Sequence, residues 1–310
     1  MNDNPLVSVA LCTYNGESFL KEQLDSIVNQ TYPNLEIVIV DDGSTDGTID
    51  ILNEFAQVYC NIRVFKNEVN LGYIKNFEKA VGLCTGEFIA LSDQDDIWSL
   101  NKIDYLVQNF QLKDTLIYHD SQYIDENNGS LGRLLSQTSG YIDGRNKLYV
   151  AYNNCVAGHA MFFRQDLVQK IFPFPDKIPH DHWIAYIALA EGGIRFIKKP
   201  LVNYRQHASS VTDILGGKID SNSKRLKEQR RYEHNEKRIE TIECLKQALQ
   251  NTKDDVAFLA KLAMLLKDRQ KKRRSRTLFL FLLANWRVLF HFYHKSFLSI
   301  FVKTVKESQY

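Results

Sequence analysis

The sequence lacks the features that would place it in a membrane or in an oxidising compartment. It contains no run of 18 apolar residues, which argues against an ordinary transmembrane helix. The first residues, MNDNPLVSVALC, lack a basic segment followed by an apolar one, so we expect no secretory signal. Widely spaced cysteines without a CxxC pair argue against a disulfide framework or a cysteine-rich zinc site, and favour a reducing cytosol: Cys12, Cys60, Cys84, Cys155 and Cys244.

The charge is nearly balanced overall but is unevenly distributed. The net charge is +2, and 44% hydrophobic with 25% charged residues is typical of a globular protein. Residues 261–310, however, contain 12 Lys/Arg and only 2 Asp/Glu. A basic end on a mildly acidic body indicates that the end meets an anionic partner, such as a membrane surface or a nucleic acid.

The first hundred residues alternate between apolar runs and segments of helical spacing. This alternation is typical of right-handed βαβ units around a mostly parallel sheet, so the predicted fold class is α/β. The predicted strands are Val7–Leu11, Leu35–Val40, Ile62–Phe65 and Glu87–Leu91, and the predicted helices are Glu17–Asn29, Thr45–Ala56 and Tyr73–Leu83.

The pattern is weaker after Asp96, with a polar stretch over residues 125–145. From about Lys218 onward there is no Pro or Gly, and leucines recur at helical spacing, which predicts a helical region. We therefore predict a catalytic domain over 1–215, with halves at about 1–100 and 101–215, and a helical extension over 216–310. Within the second half we predict strands Leu116–His119, Met161–Arg164, Ile194–Ile197 and Leu201–Tyr204, and helices Asp166–Ile171 and Trp183–Ala190.

Three polar clusters follow predicted strands: residues 13–16, 41–44 and 93–96. Each cluster alone is also consistent with a simple turn, because Asp, Asn and Gly favour turns. Ligands of open α/β sheets bind at the carboxyl ends of strands, so together the clusters predict one crevice. Adjacent carboxylates repel unless a cation lies among them, and oxygen ligands favour Mg²⁺ or Mn²⁺ shared with substrate phosphates. The carboxylates are Asp41, Asp42, Asp93, Asp95 and Asp96.

Other nucleotide-using classes fit the sequence less well. The turn after the first strand reads CTYNGE instead of GxGxxG, and the GxxxxGK[ST] pattern is absent, which argues against a dehydrogenase and a P-loop enzyme. A nucleotidyltransferase would need a Gly- and Lys/Arg-rich loop for a triphosphate. A nucleic-acid binding module would not need the acidic clusters, so no nucleic-acid partner is expected.

The motifs VSVALCTYNGESFLKEQLDSIVNQTYPNLEIVIVDDGSTDGT, NLGYIKNFEKA and GEFIALSDQDDIW resemble family 2 glycosyltransferases of the GT-A fold. The resemblance covers roughly residues 5–210. SDQDDIW and the later NYRQHASSVT most resemble bacterial rhamnosyltransferases of surface polysaccharide synthesis. The resemblance implies transfer of a sugar, best guessed as rhamnose from dTDP-rhamnose, to a glycan or lipid-linked acceptor; a UDP-sugar donor is the alternative.

The resemblance also implies roles for the clusters. Asp93-Gln94-Asp95 matches the DxD signature, in which Asp93 approaches the ribose or sugar and Asp95 holds the metal. Asp96 extends this acidic run toward the donor sugar or the metal. The remaining matches lie around the nucleotide base and ribose: Thr13, Tyr14, Glu17, Asp41 and Asp42.

The resemblance places the catalytic base on the segment Pro179–Trp183. By position alone Asp181 is also consistent with a helix N-cap. The family's acidic motif at this position carries the general base, so Asp181 is the predicted base. The residue before it is usually acidic and is here His180, which either shares this role or binds acceptor. His182 is a further candidate in the same segment.

Two segments outside this one match the family near the diphosphate or the acceptor. His207 matches a position near the metal and diphosphate, and Arg205 is predicted to neutralise the departing diphosphate. Gly158, in the loop NNCVAGH, either allows close approach of the acceptor or is a turn glycine. His159 follows it where relatives often carry Cys.

The tail begins with a basic cluster, residues 267–276, and continues with aromatic and aliphatic residues interrupted by charges. One interpretation is a helix packed on the catalytic domain. The other, which we favour, is an interfacial helix on the anionic inner face of the plasma membrane, giving a cytoplasmic, peripherally bound protein. The side chains expected at the interface are Trp286, Leu289, Phe290, Phe292, Tyr293, Phe297, Leu298, Ile300 and Phe301.

Overall fold

The computed structural model describes residues 4–207, 224–272, 274–292 and 297–308. Its first part alternates strands and helices as the sequence predicts. Apolar runs form buried strands, and the helices between them place their apolar faces on the sheet. The elements are β1 (Val7–Thr13), α1 (Leu20–Val28), β2 (Leu35–Asp41), α2 (Thr48–Val58), β3 (Ile62–Lys66), α3 (Tyr73–Leu83) and β4 (Phe88–Ser92).

The second part adds nine elements of varied length, two of which lie in the polar stretch where no element was predicted. β7 and α5 lie within residues 125–145, and α4 was not predicted either. The elements are β5 (Ile97–Trp98), α4 (Lys102–Asn109), β6 (Leu116–Ile124), β7 (Ser130–Leu134), α5 (Leu135–Ser139), β8 (Met161–Arg164), α6 (Val168–Ile171), α7 (His180–Glu191) and β9 (Ile194–Arg205).

The strands of the described residues form one mixed, mostly parallel sheet in the order β3-β2-β1-β4-β8-β6-β9-β5, with β7 on β6. β1 pairs in parallel with both β2 and β4, and β6 pairs in parallel with β9. The two strands predicted at 194–197 and 201–204 are the single strand β9. Its register against β6 shifts near Pro200, which explains the interruption in the sequence pattern.

The last part of the described chain is helical, as predicted. Its elements are α8 (Lys224–Leu245), α9 (Lys253–Lys272), α10 (Arg276–Ala284), α11 (Trp286–Leu289) and α12 (Phe297–Ser308). The predicted boundary between residues 215 and 216 lies outside the described residues, so the domain division stays a prediction.

The helices of the extension share a core with the catalytic region. Leu278, Phe290 and Ile300 belong to the same buried cluster as Tyr152 and Tyr186. This cluster covers one face of the sheet, and a second cluster around β1, α1 and α4 covers the other.

The burial corrects part of the membrane prediction. Leu289, Phe290, Phe292 and Ile300 pack inside the protein and cannot enter a bilayer interface. Tyr293 and the side chain of Phe297 lie outside the described residues. Within the part of the chain that the structure describes, no helix combines the length and the apolarity needed to cross a membrane.

Candidate active site

The three polar clusters meet at one edge of the sheet. β1 pairs with β2 so that Thr13 lies beside Asp41, and it pairs with β4 so that Leu11 lies beside Ser92. The clusters that follow β1, β2 and β4 therefore occupy adjacent positions at the carboxyl ends of parallel strands. This is the arrangement that the sequence predicted.

The carboxylates after β2 organise the loops of this edge. Asp41 is fully buried and accepts hydrogen bonds from Thr13 Oγ1 at 2.9 Å and from the Ser44 amide at 2.9 Å. Asp42 accepts hydrogen bonds from the Leu71 amide at 2.8 Å and the Gly72 amide at 2.9 Å. Both side chains shape the surface on which a nucleotide would lie, and their direct contact with a base stays a prediction.

Gln94 joins the first cluster to the third. Its side-chain oxygen accepts a hydrogen bond from the Tyr14 amide at 2.8 Å, and its side-chain nitrogen donates to the Tyr14 carbonyl at 3.1 Å. The Tyr14 ring itself is half exposed at the edge. Glu17 accepts a hydrogen bond from the Gly47 amide at 2.6 Å and so fixes the start of α2. Sequence reasoning gave Gln94 no role, because a partner 80 residues away leaves no local pattern.

Asp95 and His207 form a pair at this edge. His207 Nε2 lies 2.9 Å from Asp95 Oδ2, and both side chains are partly exposed. Adjacent ligands of an octahedral Mg²⁺ at ~2.1 Å lie about 3 Å apart, so this spacing fits two ligands of one divalent ion. The two side chains are also within hydrogen-bond distance, and their metal role stays a prediction.

Arg205 lies against the Asp95 loop, next to the Asp95–His207 pair. Its guanidinium is 1% exposed and donates to Glu22 Oε2 at 2.6 Å, to Asn128 Oδ1 at 2.6 Å and to the Asp95 carbonyl at 2.8 Å. It also lies over the Phe19 ring. Its donors are occupied in holding the Asp95 loop, and its neutralisation of a departing diphosphate stays a prediction.

A second acidic group lies beside this pair. Asp93, Asp96 and His159 bring ligand atoms within 4.8 Å of one another and could hold a metal ion. His159 Nδ1 lies 3.7 Å from Asp93 and 3.8 Å from Asp96, which is looser than the Asp95–His207 spacing. Asp96 Oδ2 is buried without a hydrogen-bond partner among the described residues. These residues favour a divalent cation at the edge, with Asp95 and His207 as the better-spaced ligands.

Lys102 is a buried lysine beside the same group. It is fully buried at the start of α4, and its Nζ donates to the His159 carbonyl at 2.8 Å. Burial lowers the pKa of Lys102 well below its usual value, against the opposing charges of Asp96 and Asp93. Burial, then the charges of Asp95 and Asp93, raise the pKa of Asp96. The sequence showed Lys102 only as a polar residue, since its contacts are all tertiary.

Asp181 lies in the first turn of α7, apart from the metal pair. Burial raises the pKa of its carboxyl to about 7; the charge of Asp93 adds to the rise, and a hydrogen bond from the His182 amide opposes it. That amide donates to Asp181 Oδ1 at 2.6 Å. Because the best general base has a pKa near the working pH, this carboxyl suits proton abstraction at neutral pH.

His180 and His182 flank Asp181 but have different surroundings. His182 Nε2 lies 2.7 Å from the Val150 carbonyl, so its ring is occupied within the fold. His180 stacks on Phe77 with ring centroids 3.9 Å apart. A Cβ on Gly158 would lie 2.9 Å from His180 Nε2, which is too close without rearrangement. Gly158 is therefore needed for close packing beside His180, and its direct contact with an acceptor stays a prediction.

Comparison with known proteins identifies the family of this arrangement. The family described as Glycosyl transferase family 2 matches residues 8–172. An uncharacterised glycosyltransferase of Haemophilus influenzae is 28% identical over 247 residues, which are 73% of each chain.

Two solved structures show the same fold. S. aureus TarS 1–349 in complex with UDP-GlcNAc superposes with a TM-score of 0.59 at 18% identity, over 97% of this chain and 81% of that one. The mannosyltransferase PcManGT from Pyrobaculum calidifontis, in complex with GDP-Man and Mn²⁺, superposes with a TM-score of 0.53 at 18% identity, over 99% of this chain and 86% of that one. The architecture is thus of the GT-A type.

Proposed function

Because the chain belongs to glycosyltransferase family 2, we propose that it transfers a sugar from a nucleoside diphosphate to an acceptor hydroxyl with inversion at the anomeric carbon. The observation that carries the proposal is Asp181, a carboxyl whose pKa burial raises to about 7. It is influenced by the charge of Asp93 and stands apart from the Asp95–His207 pair.

In the proposed reaction Asp181 removes the proton of the acceptor hydroxyl as its oxygen attacks the anomeric carbon. The bond between that carbon and the diphosphate oxygen breaks on the opposite face, and its electron pair stays on the diphosphate. The transition state carries positive charge on the sugar, as in other glycosyl transfers. A divalent ion held by Asp95 and His207 would supply charge stabilisation to the diphosphate.

The remaining residues at the edge hold these groups in place. Arg205 fixes the Asp95 loop through its carbonyl, and Lys102 offsets the acidic group next to it. Asp93 is the partly exposed member of this group, and its charge acts on Asp181. This position supports its predicted approach to the donor sugar. Burial would raise the pKa of Asp93, but His159, His180 and Lys102 together outweigh burial and lower that pKa, which favours the ionised form.

For the donor we propose dTDP-rhamnose, with a UDP-sugar as the alternative. The support is the resemblance of SDQDDIW and NYRQHASSVT to rhamnosyltransferases; residues 208–212 of the second motif lie outside the described residues. The solved neighbours hold UDP-GlcNAc and GDP-Man, so the fold accommodates several nucleotides. The proposed acceptor is a glycan or lipid-linked glycan of a bacterial surface polysaccharide.

A donor screen tests the proposed reaction. Full-length protein is incubated with dTDP-rhamnose, UDP-GlcNAc and GDP-Man, with Mg²⁺ or Mn²⁺ and with EDTA, and nucleoside diphosphate release is measured. We expect release from dTDP-rhamnose that EDTA abolishes. Release only from another donor would contradict the rhamnose proposal, and undiminished release in EDTA would contradict the metal role.

We also propose that the extension binds the cytoplasmic face of the plasma membrane through its exposed side chains. Phe279 and Phe301 meet with ring centroids 5.7 Å apart, and Leu298 is 71% exposed. Exposed basic residues at the end of α9 and the start of α10 lie in the preceding segment, residues 271–276. Each basic residue near an anionic surface contributes about 1 kcal/mol. A lipid-linked acceptor fits this location.

Vesicle sedimentation tests the membrane proposal. We expect the full-length protein to pellet with anionic vesicles and the double variant Leu298→Ser/Phe301→Ser to pellet less, because both side chains are exposed. Leu249→Ser, which changes an exposed leucine between α8 and α9, is the matched control. Equal pelleting of the double variant and the control, or no pelleting of the wild type at low salt, would contradict the proposal.

A further inference from the structure

Tyr73 is an exposed aromatic residue where the first turn of α3 meets the first turn of α7. It is the first residue of α3 and is 50% exposed. Phe77, one helical turn further on, is buried and stacks on His180 with ring centroids 3.9 Å apart. The Tyr73 ring meets the same imidazole edge-on at 5.9 Å. This face of α3 therefore packs against the start of α7, and Tyr73 is the part of it that stays open to solvent.

The loop before Tyr73 belongs to the donor side of the site. Asp42 accepts hydrogen bonds from the amides of Leu71 and Gly72 at 2.8 and 2.9 Å. Gly72 has a φ of +81° and turns the chain from this loop into α3. Asp42 thus fixes the backbone before Tyr73, and the contact with His180 fixes its ring. A side chain held in place in this way loses little conformational entropy when a ligand packs on it.

Asp181, the proposed base, lies at the same rim. It directly follows His180 on α7 and is partly exposed. Burial, and after it the charge of Asp181, raise the pKa of Tyr73, so the phenol stays protonated at neutral pH. The two side chains are therefore near enough to interact through their charges. An acceptor whose hydroxyl reaches the Asp181 carboxyl lies beside the exposed ring of Tyr73.

The shape of the ring suits one part of a sugar. A pyranose carries equatorial hydroxyls around its edge and C–H groups on its two faces. Packing such a C–H face on an aromatic ring removes apolar surface from water, while the polar edge stays free for hydrogen bonds. A single exposed aromatic residue is ordinary on a protein surface, so the position of Tyr73 beside the base carries the inference.

We propose that Tyr73 is a specificity-determining residue whose exposed ring packs against the C–H face of the acceptor pyranose that Asp181 deprotonates. The inference rests on the proposed function and deepens it, because it makes the acceptor unit at the base a sugar ring with one open C–H face. An axial hydroxyl on that face would hold the sugar away from the ring. Tyr73 therefore selects among acceptors by their stereochemistry.

Three variants of Tyr73 separate the flat ring from the other properties of the side chain. Tyr73→Phe keeps the ring and removes the hydroxyl. Tyr73→Leu keeps apolar bulk beside His180 and loses the flat face, and Tyr73→Ala loses both. Tyr232→Ala is the matched control, because Tyr232 is 49% exposed on α8.

Kinetics are measured with the donor identified by the screen and a panel of methyl pyranosides that differ in their axial hydroxyls. We expect acceptor kcat/KM to fall about 10-fold in Tyr73→Ala and Tyr73→Leu, mostly through KM, because apolar contact area is lost. Tyr73→Phe and Tyr232→Ala should stay within about twofold of the wild type, as should the nucleoside diphosphate Kd of every variant.

Saturation-transfer NMR gives a second readout that needs no transfer reaction. Full-length protein is mixed with dTDP, Mg²⁺ and the same methyl pyranosides. In the wild type and in Tyr73→Phe, we expect the strongest transfer to C–H protons on one face of the sugar. In Tyr73→Ala and Tyr73→Leu this preference for one face should be lost.

Each other outcome would overturn the proposal. Equal losses in Tyr73→Phe and Tyr73→Ala would assign the effect to the phenol hydroxyl, and wild-type kinetics of Tyr73→Leu would leave only apolar packing. A loss in the nucleotide Kd would place the ring on the donor. If the wild type transferred no sugar from any donor, the proposed function would fail. The NMR comparison would still test Tyr73, and identical transfer in Tyr73→Ala and Tyr73→Phe would remove the role.

Discussion

The site has two sides, the sheet edge and the first turn of α7, and the carboxylates of the two sides have different surroundings. At the sheet edge, Asp41 and Asp42 accept several hydrogen bonds each, and Asp95 pairs with His207. On α7, Asp181 is partly buried, and its desolvation raises the pKa of its carboxyl to about 7. At the edge, burial and the charges of Asp95 and Asp93 also raise the pKa of Asp96, but a bound cation would oppose that rise. A base must gain and lose a proton at neutral pH, and burial provides that.

The sides also differ in what supports them. The edge is held by loops of the first hundred residues, such as the one Asp42 fixes through the Leu71 amide, and by Arg205 at the Asp95 loop. The α7 side is held by the extension. Arg238 donates to the Tyr152 carbonyl at 3.1 Å and to Asn153 Oδ1 at 3.0 Å, and the Val150 carbonyl of the same segment meets His182. Changes in the extension should therefore affect the acceptor side first.

The largest expected effect is that of Asp181→Asn, which removes the base and leaves the edge intact. General-base assistance contributes ~10²–10⁴-fold, so we expect kcat to fall by that amount. Nucleotide affinity, measured by titration with the nucleoside diphosphate, should remain near the wild-type value. Full turnover of Asp181→Asn at saturating donor would show that Asp181 is not the general base.

The second prediction concerns the edge, where His207→Ala removes a proposed metal ligand and leaves Asp181 in place. Loss of even an outer-shell partner costs about 10–100-fold in metal affinity, so losing a proposed ligand should cost at least as much. Titration of Mn²⁺ against activity measures the shift. His291→Ala, a histidine stacked on Tyr149 far along the chain, is the control. Equal metal dependence of the two variants would remove His207 from the metal site.

A smaller effect is expected from Arg238→Met, which breaks the link between the extension and Tyr152. Its guanidinium lies 4.0 Å from the Tyr152 ring centroid and 3.2 Å from Glu307 Oε2. Removing one partner of a buried ion pair costs about 3–5 kcal/mol. We expect a lower free energy of unfolding in denaturant titration, and in the folded variant a greater loss of acceptor kcat/KM than of nucleotide affinity. Equal losses of acceptor kcat/KM and of nucleotide affinity would contradict the account that the extension supports the α7 side.

The sequence predicted the edge better than the α7 side for a physical reason. Buried parallel strands such as Leu35–Asp41 are nearly continuous apolar runs, and the polar residues that end them must meet at one edge. The Tyr73–Leu83 helix was predicted with its observed ends.

Residues whose surroundings come from distant segments were not predictable in this way. Lys102 is buried against His159, 57 residues away, and Arg205 bonds to Glu22, 183 residues away. The tail was misjudged for the same reason: Phe290 and Phe292 alternate with charges in the sequence but pack into a core that only the fold creates.

The pH dependence of kcat tests the central claim most directly, namely that burial holds a base near neutrality on the α7 side. The base works when deprotonated, and its pKa is raised to about 7. Activity should therefore be low at pH 5.5 and rise through a midpoint near pH 7 at saturating donor, metal and acceptor. The residual rate of Asp181→Asn should lack this rise. A wild-type kcat that is flat from pH 5.5 to 8.5, or a midpoint that persists in Asp181→Asn, would contradict the account.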